Sequence, residues 1–68
     1  MDKIKVGNTL AALRKERNES TLDVAAAVGI SQSAVSMYEN GVRIPRDDIK
    51  YKLSQHYGVP VGQIFFAE

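Results

Sequence analysis

The chain has 68 residues, of which 44% are hydrophobic and none is cysteine, with a formal net charge of +1. That length limits it to a single domain, 1–68 with a core over 6–65, which is small and marginally stable. Disulfides, cysteine zinc sites and membrane-spanning runs are excluded, and so little net charge does not by itself announce a nucleic-acid partner.

Met1 to Lys5 lack the apolar core of a secretory signal, so a reduced, cytoplasmic setting is expected. Val6, Leu10 and Leu13 then follow the i, i+4, i+7 spacing of one helical face. This predicts a first helix from about Val6 to Arg17, its basic tail Arg14-Lys15-Arg17 suiting the negative end of the macrodipole. Ser20 followed three residues later by Asp23 reads as an N-cap with a variant of the capping box. A second helix, Thr21 to Val28, follows, and Gly29 stops it in the left-handed conformation.

Ser31 is the next N-cap, and a third helix is expected from Gln32 to Asn40, with Val35 and Tyr38 facing inward. Pro45 precedes a fourth helix, with Asp47 or Asp48 near its positive end and Ile49, Leu53 and Tyr57 as its buried stripe. Gly58 closes it, and Pro60 prevents resumption. A last short helix, around Val61 to Phe65, lays Ile64 and Phe65 on the core. Phe66 has two readings, a dimer contact or a second core phenylalanine, whereas His56 reads as a surface residue of the fourth helix.

Charge is unevenly spread along these elements. Residues 1–17 hold Lys3, Lys5, Arg14, Lys15 and Arg17 against Asp2 and Glu16, whereas residues 18–42 hold only Glu19, Asp23 and Glu39. Arg43, Arg46, Lys50 and Lys52 then face Asp47 and Asp48. Two basic blocks flank a stretch without Lys or Arg, a pattern that solvated helix faces also produce.

Two short helices joined by Gly29-Ile30-Ser31 form a helix-turn-helix. Ala25 is small where the helices cross, and Ile30 and Val35 anchor the third helix so that its other face stays outward. That face suits the major groove, where each base pair shows its own donor and acceptor pattern. Gln32 matches adenine, Ser33 and Ser36 donate or accept, and Met37 offers apolar contact to a thymine methyl or packs against its neighbours.

The segment "STLDVAAAVGISQSAVSMYENG" resembles the helix-turn-helix of the phage-repressor and Cro family, also called the xenobiotic response element family. The likeness extends from "LAALRKERN" through "NGVRIP" to "YGVPVGQIF". It implies an all-α, five-helix, lambda-repressor-like domain that binds operator DNA and regulates transcription, usually as a homodimer on a near-palindrome. By position it implies base reading by Gln32, Ser33, Ser36 and Met37, and phosphate contacts by Asn40 and Arg43, with Arg46 as helper. Thr21 stands where many members place a phosphate-binding Gln. Its shorter side chain weakens that contact or passes it to the helix N-terminal amides. Arg14 and Glu39 match an internal salt bridge, with direct DNA contact as the other reading of each.

The expected partners are double-stranded operator DNA and a second subunit, with no membrane, small-molecule ligand, metal or cofactor. A protein-interaction module on the same fold is the alternative, favoured by the low net charge and by Thr21. No paired carboxylates, activated nucleophile or phosphate-cradling glycine loop points to an enzyme.

Overall fold

The computed structural model describes residues 1–66. Its helices are α1 (Lys3–Glu16), α2 (Thr21–Val28), α3 (Gln32–Glu39), α4 (Asp47–Tyr57) and α5 (Val61–Phe65). No strand occurs among the described residues, so the protein is all-α, as the apolar spacing predicts.

Three boundaries differ from expectation. Helix α1 starts at Lys3 rather than Val6 because the Asp2 carboxylate caps it, accepting from the backbone N–H of Ile4 at 2.9 Å and of Lys5 at 3.2 Å. It ends at Glu16 rather than Arg17, and Asn18 turns the chain at φ 55, a left-handed conformation that asparagine tolerates. Helix α3 ends at Glu39, with Asn40 as its C-cap, and Gly41 leads the chain away at φ 73.

The capping box of α2 is complete. Ser20 Oγ accepts from the Asp23 N–H at 3.0 Å, and the Ser20 N–H donates to Asp23 Oδ2 at 2.9 Å. These two bonds from Ser20 hold the Asp23 carboxyl below its ordinary value. A lowered folded-state value contributes stability that is present above the ordinary carboxylate range and lost as pH falls through it. Ser20→Ala is therefore expected to lower the urea midpoint at neutral pH, and the gap to the wild type narrows below about pH 4.

The core draws on every helix: Val6 and Leu10 of α1, Val24, Ala25 and Val28 of α2, Val35 of α3, Ile49, Leu53 and Tyr57 of α4, and Ile64 and Phe65 of α5. Phe65 is only 1% exposed, whereas Phe66 is 57% exposed. Successive helical residues point about 100° apart, so the two rings do not enter one core together, and Phe66 is not a core residue. Lys50 of α4 is buried, with its ammonium 3.3 Å from Asp47 Oδ1 and 5.3 Å from the Phe66 ring centroid.

Helix α1 meets the last turn of α3 through glycine. A Cβ on Gly7 would lie 2.4 Å from the Glu39 carbonyl oxygen and 2.7 Å from that of Tyr38. The two backbones touch here, and this contact fixes where α3 sits.

Candidate nucleic-acid interface

The mount of α3 is built from local bonds. Gly29 adopts φ 78, and the N–H groups of Gly29 and Ile30 both donate to the Ala25 carbonyl, at 2.9 and 3.0 Å. The chain reverses within this turn, and Ser31 Oγ accepts from the Ala34 N–H at 3.0 Å to start α3. Val35 is buried, while Ile30 and Tyr38 pack against the core. One edge of the helix is thereby fixed inward.

The other edge faces out along its length unequally. Gln32 and Ser33 are exposed, whereas Ser36 and Met37 are half-buried. The exit loop folds back near Met37, whose carbonyl accepts from Val42 N–H at 2.9 Å and Arg43 N–H at 3.3 Å. The free end of α3 is therefore its N-terminal end.

Gln32 and Thr21 are brought together across the turn. Gln32 Nε2 donates to Thr21 Oγ1 at 2.9 Å. That bond uses one amide hydrogen and leaves the second N–H and Oε1 open. It also uses the threonine oxygen as an acceptor, so the hydroxyl proton is free to donate elsewhere. Thr21 opens α2, where unpaired backbone N–H groups and the helix dipole favour an anion.

Asn40, Arg43 and Arg46 are exposed on the segment leaving α3. Arg46 Nη2 lies 3.5 Å from Asp48 Oδ2, with both side chains largely in solvent. Such exposed pairs contribute little, so this guanidinium is free to change partners.

Arg14 and Glu39 face each other and not solvent. Arg14 Nε lies 2.9 Å from Glu39 Oε2 and Nη2 lies 3.0 Å from Oε1, a two-pronged pair with side chains 16% and 9% exposed. Its Nη1 donates to the Glu19 carbonyl at 3.0 Å. The bond to Glu39 pushes the Arg14 pKa further up, so the clamp stays charged. This pair ties α1 to the end of α3.

His56 departs from its reading as a surface residue. Its side chain is 15% exposed, and Nε2 lies 2.9 Å from Glu19 Oε2. Glu19 also pairs with Arg17 Nε at 3.3 Å, so one carboxylate joins α4 to the loop before α2. Nothing in the helical periodicity marks Glu19, because it lies between elements. The neighbouring Tyr57 phenol is pushed up to about 12, mainly by burial, and stays neutral.

A profile described as "Helix-turn-helix" matches residues 10–64. An uncharacterized HTH-type transcriptional regulator of Mycobacterium tuberculosis is 36% identical over 62 residues, covering 91% of this chain and 24% of that protein. A counterpart in Mycobacterium bovis matches equally. The cryptic phage CTXphi transcriptional repressor RstR of Vibrio cholerae is 33% identical over 52 residues, covering 76% of this chain and 47% of the repressor. The chain thus spans about a quarter to a half of the length of these relatives.

Proposed function

This chain belongs to the helix-turn-helix family, in its phage-repressor and Cro branch, and on that premise we propose that it is a sequence-specific regulator of transcription. Residues 1–68 form one DNA-binding unit that acts on double-stranded operator DNA in the cytoplasm. It represses phage, plasmid or bacterial genes by placing α3 in the major groove.

The observation that carries this reading is the Gln32–Thr21 hydrogen bond. It holds an amide at the exposed end of α3 with one N–H and Oε1 still open, the pair of groups that adenine N7 and N6 require. The same bond aims the Thr21 hydroxyl proton outward, toward a phosphate at the start of α2. Ser33, Ser36 and Met37 complete the reading edge, with Met37 reaching a thymine methyl from its exposed part.

Helix α3 has no Lys or Arg, so it discriminates bases without gripping the backbone. Grip comes from Thr21, Asn40, Arg43 and Arg46, and from a second subunit on a near-palindrome. Arg14 and Glu39 serve by holding α3 in place.

The experiment compares two variants on a site selected from random DNA. Gln32→Ala costs about 1–3 kcal/mol and relaxes preference at one position of each half-site. Arg43→Ala weakens all sequences alike and reduces the salt slope by about one. Equal, sequence-independent losses in both variants would overturn the division between reading and grip. No effect in either would favour the protein-interaction module.

A further inference from the structure

A groove of about 420 Å³ runs between α2 and α4, away from every residue assigned to DNA. Ala27 and Val28 form one wall, and Tyr51, Lys52, Gln55 and His56 form the other. Its apolar surface is unusual for solvent. Tyr51 is 61% exposed, and α2 (TLDVAAAV) presents Ala26 and Ala27 outward with Asp23 as its sole charge. A helix covered by solvent on that side ordinarily carries polar residues there.

The charges at the groove are sorted. His56 is held by Glu19, Asp23 is committed to the capping box of Ser20, and Asp48 pairs with Arg46. Lys52 has no carboxylate partner among the described residues. An apolar floor is therefore left beside one unanswered cation.

We infer that this groove docks an acidic amphipathic helix of a partner protein. The groove is open and covers one side of an occupant, whereas a small molecule needs most of its surface enclosed. No strand edge is offered among the described residues, which leaves a helix laid in the groove as the fitting mode. The small side chains of Ala26 and Ala27 let a helix approach closely, its apolar stripe meeting Ala27, Val28 and Tyr51. An Asp or Glu beside that stripe answers Lys52. Because none of the DNA-assigned residues lines the groove, partner and DNA are held together.

The test displays a library of helical peptides against the purified chain. Wild type enriches sequences with an i, i+4 apolar stripe flanked by Asp or Glu. Ala27→Glu, a surface change to a good helix former, lowers their affinity at least ~10-fold while DNA binding and the thermal midpoint stay unchanged. Lys52→Glu moves the preference to Lys- and Arg-flanked helices. The inference is overturned if no helix is enriched, or if enriched helices bind Ala27→Glu as well as wild type. It is also overturned if Lys52→Glu leaves the charge preference unmoved, or if sedimentation shows Ala27→Glu dissociating a dimer, which would make a second copy the occupant.

Discussion

Gly7→Ala is expected to unfold this protein or bring it to the edge of unfolding. The added carbon would meet two carbonyl oxygens of α3, at 2.4 and 2.7 Å, and neither can rotate away as a side chain does. Helix α1 must lift off the last turn of α3, which also strains the Arg14–Glu39 clamp. Such overpacking costs about 3 kcal/mol, a large share of what a domain this size holds. Local propensity runs the other way, since alanine favours a helix by about 1 kcal/mol over glycine. In an isolated peptide of residues 1–17 the same change should therefore raise helicity. Urea unfolding of the full chain beside circular dichroism of the peptide separates the two effects. Equal stability of Gly7→Ala and wild type would show that the α1–α3 contact is looser than described.

The second large effect is expected at Arg14. Arg14→Ala removes both bonds to Glu39 and the bond to the Glu19 carbonyl, and it leaves a carboxylate 9% exposed without its partner. Stranding a charge in this way costs about 3 kcal/mol. Replacing Glu39 by leucine as well removes the stranded charge, so the double variant is less destabilised than Arg14→Ala alone. A double-mutant cycle in urea measures the coupling. The clamp also sets the exit of α3, so Arg14→Lys, which keeps charge but not the two-pronged geometry, lowers stability as well. Additive single losses would mean that the two groups act independently.

The fold was largely legible because its stop signals are local. Ser20, Gly29, Ser31 and Gly58 act on their own turns, so the bounds of α2 and the end of α4 follow from residue type alone. Asp2 carried the same kind of signal. It stands ahead of the apolar stripe, whose first member, Val6, marks where burial starts and not where the helix does.

The site divides in the same way. Helical phase separates Val35 from Gln32 and Ser33, so the outward edge of α3 is readable from spacing. The half-burial of Ser36 and Met37 is not, because it depends on the exit loop folding back over that end. The contacts of Gly7, Glu19 and His56 join residues 31 or more positions apart, as between Gly7 and Tyr38 or Glu19 and His56. No periodicity encodes such pairs. A glycine inside an otherwise good helix was the one visible hint of close approach.

Selection of bound sequences from a random DNA pool, followed by footprinting at two salt concentrations, tests the central claim most directly. The expected result is a preferred near-palindrome whose half-sites lie about one helical turn apart, ~34 Å. Its affinity should fall steeply as salt rises, because grip rests on phosphate contacts. Recovery of no preferred sequence, even at low salt, would contradict the assignment of α3 as a reader of DNA.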